Sequence, residues 1–209
     1  SLLAFTDQLE SITTSKITCD VELSNMITKA LTSLRLTRQE WDVYTHFSEF
    51  RYTRNLLFSN QDFSVILNCW LPGQGTPIHT HGQGTHSWFR VVGGELSMEF
   101  FDEKHNASSA MVFRPDSEPF FEGGGMHLHC LKNASEKLAV SIHVYNPPYK
   151  QLTYVDANDS NVSKCLPVVH CNNDSQKRCQ NRSDSGCGSC EAVFTNMGAL
   201  VSMIDYEFT

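Results

Sequence analysis

Apolar residues at the start of the chain recur at the spacing of helix turns. They are Leu2, Phe5 and Leu9, followed by Leu23, Met26, Ile27, Ala30 and Leu34. Thr37 and Glu40 then have the spacing of a capping box, ahead of a short segment that carries Trp41, Val43 and Tyr44. The pattern therefore predicts a helical cap before about residue 48.

From residue 51 to residue 149, apolar segments of strand length alternate with clusters of Gly, Pro and Asn. The predicted strands are residues 52–58, 63–70, 87–92, 95–101, 111–114, 127–131 and 138–145. Many short strands of this kind favour a sandwich or a barrel. We therefore expect a β-rich body that follows the helical cap.

The periodicity fades after Pro147 and Pro148, and beyond them only residues 192–194 and 199–204 have the pattern of strands. The chain is thus predicted to have two parts. Residues 1–150 would form the helical cap and the barrel that carries the catalytic site. Residues 151–209 would be a divergent, Cys-rich C-terminal extension that packs on the barrel or is partly disordered.

Charge and hydropathy exclude several classes of partner. The net charge of -7 and the pI near 5.7 leave no basic surface for nucleic acid. No apolar run approaches the ~20 residues that span a bilayer, and the first residues lack the features of a signal peptide. We therefore expect a soluble monomer that binds neither nucleic acid nor membranes.

The eight cysteines fall into two groups. Three occur singly in apolar segments, as buried free thiols do: Cys19, Cys69 and Cys130. Five lie in the polar tail: Cys165, Cys171, Cys179, Cys187 and Cys190. Cys187 and Cys190 have the spacing of a zinc hairpin, with His170 among the candidate partners. A structural zinc site, a disulfide or redox role, and a variable tail without a site all stay open.

Two histidines one residue apart, His79 and His81, carry the clearest chemical signal. Side chains alternate along a strand, so both imidazoles point to the same side of a sheet and can bind one metal ion. A third histidine from a distant strand would complete three neutral nitrogen ligands and leave positions free for a substrate. This arrangement is typical of a catalytic rather than a structural metal centre.

The spacing around these histidines resembles the two motifs of cupins. In the first motif a glutamate ligand follows the H-x-H pair, but residues 82–86 contain no carboxylate. Three histidines would then be the ligands, or His86 would replace the glutamate. His129 with Asn133 has the spacing of the second motif, and His127 is a lower-ranked alternative ligand.

Two further polar features lie within apolar strands. Arg54 would be costly inside a barrel unless it were paired, and its planar fork suits bidentate binding of a carboxylate. An internal salt bridge to an Asp or Glu is the structural alternative. Ser141, His143 and Tyr145 share one face of a strand whose other face is apolar. This pattern predicts a buried hydrogen-bonded relay or, alternatively, a row that faces solvent.

Six segments, in order along most of residues 1–150, resemble the cysteine dioxygenase family of cupins. They are Trp41, RYTRNL at 51–56, ILNCW at 66–70, IHTH at 78–81, LH at 128–129 with Asn133, and SIHVYNPP at 141–148. The resemblance implies a mainly β fold, a cupin (jelly-roll) β-barrel with a short N-terminal helical cap. It also implies a dioxygenase that converts L-cysteine and O2 to cysteine sulfinic acid.

The same resemblance assigns roles to single residues. The implied ligands of a non-haem Fe(II) ion are His79, His81 and His129. The implied partners of the substrate carboxylate are Arg54 and, nearby, Tyr52. The implied catalytic relay consists of Ser141, His143 and Tyr145. Three neutral imidazoles would leave the charge of Fe(II) uncompensated, so an anionic thiolate would be a favourable incoming ligand.

One departure from the family concerns a covalent cross-link. In animal members, a cysteine that follows the H-x-H pair is linked to the tyrosine that matches Tyr145. Here Ser87 takes that place, with His86 beside it. We therefore predict that Tyr145 is not cross-linked, in resemblance to bacterial members, and that activity is reduced rather than abolished.

Two other functions stay open on the sequence alone. A dioxygenase of another small thiol, such as 3-mercaptopropionate, would use the same centre, and a non-redox cupin, such as an isomerase or a sensor, would hold zinc on the same histidines. N-glycosylation sequons leave open that the protein is secreted. They occur at Asn106, Asn133, Asn158, Asn161 and Asn181. A ferrous, thiol-consuming enzyme nevertheless favours a cytoplasmic location.

Overall fold

The computed structural model describes residues 1–167 apart from residues 16, 18, 83, 126, 150, 157 and 158. The cysteine-rich part of the tail, with the candidate zinc ligands Cys187 and Cys190, lies outside the described residues. The same holds for the predicted strands at 192–194 and 199–204.

The predicted helical cap is confirmed and contains three helices. They are α1 (Leu2–Thr14), α2 (Asp20–Ser33) and α3 (Arg38–Asp42). The predicted capping box of α3 is present, because Glu40 N donates to Thr37 Oγ1 at 3.4 Å and Thr37 N donates to Glu40 Oε2 at 2.8 Å. None of the helices in the described part of the chain has the length and hydropathy needed to cross a bilayer.

Two antiparallel sheets form the body of the molecule. Across the first sheet lie β1 (Thr53–Ser59), β2 (Ser64–Trp70), β9 (Ala139–Asn146), β4 (His86–Gly93) and β7 (Phe120–Glu122). Across the second lie β11 (Asp159–Pro167), β10 (Gln151–Asp156), β3 (His79–Thr80), β8 (Leu128–Lys132), β5 (Leu96–Phe101) and β6 (Ala107–Phe113). Consecutive strands are often not neighbours, so the chain crosses between the sheets. The predicted mainly β fold, a cupin barrel with a helical cap, is confirmed.

The central strand β9 separates two environments. Val140, Ile142 and Val144 pack in one apolar cluster with residues of α1 and α2. The residues between them face the barrel interior, and their exposed fractions are 0% for Ser141, 4% for His143 and 3% for Tyr145. The alternative that this row faces solvent is therefore wrong.

Arg90 in β4 fastens the helical cap to the barrel. Its Nη1 atom donates to the backbone oxygens of Leu31 at 2.8 Å and Leu34 at 3.0 Å, at the C-terminal end of α2. Carbonyl groups at this end lack the regular partners of a helix interior, and a positive charge complements the negative end of the helix dipole. A strand residue thus completes the end of α2 and fixes the cap against the first sheet.

Three strands were not predicted from the sequence, namely β7, β10 and β11, whereas β3 was expected only as the strand that carries His79 and His81. β10 pairs with β3, where Tyr154 lies opposite His79, and β11 pairs with β10. The expectation that only residues 192–194 and 199–204 form strands after Pro147 and Pro148 is therefore wrong. In β10 the buried residues Leu152 and Val155 are three positions apart, so the strand lacks the period of two that sequence patterns detect.

Candidate metal centre

The predicted triad of histidines comes together inside the barrel. His79 in β3 lies directly opposite His129 in β8, and His81 follows β3 on the same side. The exposed fractions are 5%, 2% and 6%, respectively. One ligand nitrogen from each ring lies within 4.8 Å of the other two. The short antiparallel pairing of β3 with β8 is thus what joins two distant sequence motifs into one site.

Hydrogen bonds orient these rings. His79 Nδ1 lies 2.9 Å from the oxygen of Pro77, and His129 Nδ1 lies 2.9 Å from the oxygen of His127. A carbonyl oxygen can only accept, so both Nδ1 atoms carry the proton and both Nε2 atoms keep a lone pair for a metal. The arrangement therefore selects Nε2 as the ligand atom of His79 and His129.

The electrostatics of the site also favour a metal. Burial, together with the neighbouring rings of His129 and His81, holds the pKa of His79 well below its usual value. Burial and the ring of His81 lower the pKa of His129 to about 4, although the carboxylate of Glu122 acts in the opposite direction. These two rings are neutral near pH 7, which a metal ligand must be. The donor set fits a non-haem metal ion with open coordination positions.

The two alternative ligands do not join the triad. The His86 ring stacks on Phe121 at 6.0 Å between centroids, and its Nε2 lies 3.8 Å from Asp20. The His127 side chain is 70% exposed. Strand alternation would put His127 on the same face as His129, but β8 begins only at Leu128, so His127 precedes the regular strand.

A buried carboxylate that sequence reasoning missed lies behind the triad. Glu122, at the end of β7, is 3% exposed. Its Oε2 accepts hydrogen bonds from His81 Nδ1 at 3.1 Å and Ser87 Oγ at 3.2 Å, and its Oε1 accepts from the backbone N–H of His127 at 3.1 Å. The first cupin motif lacks its glutamate here, and a carboxylate from another strand instead contacts a histidine of the triad.

Arg54 in β1 extends into the same cavity as the three histidines, Tyr145 and His143. Its Nε and Nη2 atoms are buried and have no hydrogen-bond partner among the described residues. None of the ion pairs in this part of the chain involves Arg54, so the described residues do not form the predicted alternative of an internal salt bridge. The guanidinium lies over the rings of Tyr145 and Tyr149, at 5.6 Å and 5.5 Å.

Tyr52 and Tyr149 both interact with the guanidinium of Arg54. Tyr52, which is 8% exposed, stacks on Trp70 with 4.4 Å between ring centroids. Tyr149 was not singled out from the sequence. Its ring packs 5.3 Å from that of His81, and its hydroxyl group is buried without a partner among the described residues. Only the position of Tyr149 directly after the Pro147–Pro148 pair could have drawn attention to it, and that position carries no specific chemical signal.

The predicted relay is present as a chain of hydrogen bonds. Trp70 Nε1 can only donate, so Ser141 Oγ accepts its bond at 3.0 Å. Ser141 Oγ also lies 2.8 Å from His143 Nε2, and the Tyr145 hydroxyl lies 3.4 Å from His143 Nδ1. If Ser141 donates to Nε2, every contact has one donor and one acceptor. The opposite tautomer would leave the hydrogen of a fully buried hydroxyl without one of these acceptors, which is costly.

The relay therefore leaves the proton of Tyr145 available to the cavity, since His143 donates to the phenol oxygen through Nδ1–H. Burial, with the charge of Arg54 nearby, holds the pKa of His143 well below its usual value. The neutral ring orients the Tyr145 hydroxyl through this hydrogen bond and adds no second positive charge near Arg54.

Ser87, rather than His86, lies opposite Tyr145, the tyrosine for which the sequence predicts no cross-link. Ser87 in β4 pairs directly with Tyr145 in β9, whereas His86 pairs with Asn146. A serine cannot form a thioether, and the Ser87 hydroxyl donates instead to Glu122.

Asn133, which the second cupin motif singles out, has a structural role. Its side chain is completely buried and donates to the backbone oxygens of Trp70 at 3.3 Å and Lys137 at 2.7 Å. These bonds close the turn after β8 onto the end of β2. The sequon at Asn133 is therefore inaccessible in the folded protein.

The chain is similar to known proteins both in structure and in sequence. Among solved structures, a double-stranded beta-helix domain protein from Klebsiella pneumoniae has a TM-score of 0.47 and 18% identity, and covers 59% of this chain and 93% of its own. A recombinant oxalate oxidase in complex with glycolate has a TM-score of 0.42 and 16% identity, and covers 52% of this chain and 57% of its own.

Among curated proteins, cysteine dioxygenase type 1 of Rattus norvegicus and that of Homo sapiens are each 29% identical to this chain over 138 residues. Each alignment covers 63% of this chain and 68% of the relative. The enzyme of Danio rerio is 31% identical over 126 residues, which cover 56% of this chain and 62% of the relative. The family model described as cysteine dioxygenase type I matches residues 1–158.

Proposed function

Because this chain belongs to the cysteine dioxygenase type I family of thiol dioxygenases, we propose that it oxidises free L-cysteine with O2 to cysteine sulfinic acid. The proposed ligands of the ferrous ion are His79, His81 and His129. The S–H bond and the O–O bond break and two S–O bonds form, so that R–SH and O2 add up to R–SO2H. Both oxygen atoms of O2 enter the product.

One observation carries this proposal: three buried imidazoles share a cavity with an arginine whose Nε and Nη2 atoms have no partner among the described residues. When bound, ferrous iron would supply coordination positions for the thiolate and for O2 and the redox chemistry between them. Three neutral histidines fit that ion, because they leave such positions open and the thiolate then adds the negative charge that the ligands lack.

Arg54 would bind the substrate carboxylate. Nε and Nη2 lie on one edge of the guanidinium, and that edge donates two parallel hydrogen bonds to a carboxylate. Without a substrate, the two buried donors stay unpaired, which costs free energy that binding would recover. Tyr52, which is stacked on Trp70 and interacts with Arg54, would limit the movement of the guanidinium.

Ser141, His143 and Tyr145 would orient one further proton donor. With Nδ1 of His143 donating to the phenol oxygen, the Tyr145 hydroxyl keeps its own proton for an oxygen atom of the substrate carboxylate or of O2. The Tyr145 ring lies 5.2 Å from the His81 ring and beside Arg54. Because cysteine is small, the hydroxyl would thus be near both the thiol at the metal and the carboxylate at Arg54.

The experiment that tests the proposal is anaerobic reconstitution with Fe(II), followed by exposure to O2 with L-cysteine, 3-mercaptopropionate and cysteamine in parallel. We expect O2 consumption with stoichiometric sulfinate, fastest with L-cysteine. Faster turnover of 3-mercaptopropionate would assign the protein to that thiol instead. A zinc-loaded protein that binds metal while the ferrous form oxidises none of the three would support a non-redox cupin. The use of ferrous iron and a free thiol also supports the proposal of a reducing, cytoplasmic location.

A further inference from the structure

We infer that Glu122 is a positioning residue of the metal centre, whose carboxylate holds His81 in its ligating tautomer and tightens the binding of a divalent cation. The inference deepens the proposed function and rests on its metal-binding part, but not on the thiol or on the reaction. It concerns a residue that neither cupin motif in this sequence contains.

The contacts of Glu122 are directed at the triad. Oε2 accepts from His81 Nδ1 at 3.1 Å and from Ser87 Oγ at 3.2 Å, and lies 3.9 Å from His129 Nδ1. Oε1 accepts from the backbone N–H of His127 at 3.1 Å and lies 3.5 Å from His127 Nδ1. Donors therefore contact both oxygens of a nearly inaccessible carboxylate, which fixes its orientation towards His81.

Glu122 lies behind a ligand and is not itself a ligand. The two nitrogens of an imidazole point in different directions, so an oxygen 3.1 Å from Nδ1 cannot occupy the position that a metal would take on Nε2. The group of side chains able to hold one ion contains the three histidines and not Glu122. The carboxylate thus requires His81 to carry its proton on Nδ1 and to present the lone pair of Nε2.

The three ligands are not equivalent. His79 and His129 donate their Nδ1 protons to neutral backbone oxygens, whereas His81 donates to a carboxylate. A negatively charged acceptor draws the Nδ1 proton more strongly and makes Nε2 a stronger electron donor. His81 should therefore form the strongest bond of the three to a cation, and the charge behind it offsets part of the charge of the ion.

The surroundings of Glu122 fit this role. The residue is 3% exposed, and both of its carboxylate oxygens accept hydrogen bonds. A carboxylate charge buried to this extent is costly unless it is paired, and a cation bound to His81 and its two partners would balance it.

The test compares the affinity of Glu122→Gln and wild type for Zn(II), measured at pH 7.5 by competition with a chromophoric chelator. Glutamine keeps the size of the side chain and an oxygen that can accept from His81, but removes the charge. We expect the dissociation constant to rise about 10- to 100-fold, the range found when such partners of ligating histidines are removed. Glu99→Gln is the matched control, because Glu99 is exposed on β5 and should bind zinc like wild type.

A purely structural role would give a different result. In that case, the metal-free Glu122→Gln variant would lose stability to chemical denaturation, while its folded form would bind zinc with unchanged affinity. Zinc affinity within threefold of wild type overturns the inference. If the wild type binds zinc and the ferrous protein oxidises no thiol, the proposed function fails while a weakened Glu122→Gln variant still supports the role of Glu122.

Ser87→Ala provides a second variant in case Glu122→Gln does not fold. It removes one hydrogen bond to Oε2 and leaves the contact of Oε2 with His81 intact. We expect a smaller loss of zinc affinity, about two- to fivefold, because the carboxylate becomes less well oriented. Unchanged affinity in Ser87→Ala, with Glu122→Gln unfolded, would overturn the inference.

Discussion

Arg54 is the residue whose environment most clearly calls for a ligand. It is a permanent cation inside a barrel, it contacts two tyrosine rings, and two of its nitrogens have no partner in the described part of the chain. Packing alone does not explain such a side chain, because a buried donor without a partner costs about 1–3 kcal/mol. The proposed substrate carboxylate would supply the missing hydrogen-bond acceptors.

We therefore predict that Arg54→Ala lowers kcat/KM for L-cysteine roughly a hundredfold, because the substrate carboxylate loses its charged partner. This corresponds to a loss of about 3 kcal/mol of transition-state stabilisation. Iron content should not change, since Arg54 is not a ligand. Turnover of cysteamine, which has no carboxylate, should be much less affected. Arg114→Ala is the control, because Arg114 is 59% exposed and pairs with Glu95 on the surface. Unchanged turnover at low cysteine would contradict the role of Arg54.

Ser87 leads to a second prediction at this scale. Intact-protein mass spectrometry after turnover should show no loss of two hydrogens at Tyr145, because the residue paired with it has no sulfur. Ser87→Cys places a thiol at the same position and should gain that deficit in peptides that contain Tyr145. A deficit in the wild-type protein would contradict the prediction, since Tyr145 would then be linked to some other group.

Site residues that belong to a motif of defined spacing could be predicted from the sequence, whereas site residues outside such motifs could not. His79, His81 and His129 form a triad because strand alternation and the second cupin spacing both point to them, and the structure brings them together. Glu122 follows two phenylalanines without any period, and its burial arises only from the pairing of β7 with β4. Its contact with His81 is therefore visible only in three dimensions.

At the scale of secondary structure elements, the turn between β4 and β5 places the strongest demand on one residue type. Gly94 has a φ of +71°, and a Cβ atom there would overlap the backbone oxygen of Leu138 and lie 2.8 Å from Ala139 Cα. Gly73 has a similar φ of +79°, but a Cβ atom there would have no neighbour within 4 Å. An alanine at Gly73 would therefore experience backbone strain alone, whereas an alanine at Gly94 would experience backbone strain and steric overlap.

We predict that Gly73→Ala lowers the free energy of unfolding by about 1 kcal/mol, the cost of a positive φ alone. Gly94→Ala should lower it by roughly 2 kcal/mol more, because the end of β9 has to move. Chemical denaturation of the two variants beside wild type measures both values. Equal losses would show that the contact with β9 adds nothing to the cost.

The elements that the sequence predicted are those whose signals are local. The three helices follow from apolar stripes and from the capping box at Thr37 and Glu40, and seven strands follow from runs of β-forming residues. β7 has only three residues, which is too few for alternation to be recognised, and β3 has only two, so it was expected from its histidine pair alone. Both are held by neighbours from distant parts of the chain, and both carry or support the metal centre.

At the scale of the whole molecule, the two sheets contribute different residues to the candidate site. The first sheet contributes Arg54 and the relay of β9, and its outer face is covered by the helical cap. The second sheet contributes the three histidines through the pairing of β3 with β8. The cavity between them is therefore lined by the guanidinium of Arg54 from the first sheet and by the three histidines from the second, and the proposed reaction depends on this arrangement.

The most direct test of this account is turnover of L-cysteine by the ferrous protein under isotopically labelled O2, with the product analysed by mass spectrometry. The account predicts cysteine sulfinic acid in which both oxygen atoms of the sulfinate group carry the label, and no product from a His79→Ala variant. Unlabelled or singly labelled sulfinate, or no oxidised cysteine from a protein shown to hold ferrous iron, would contradict it.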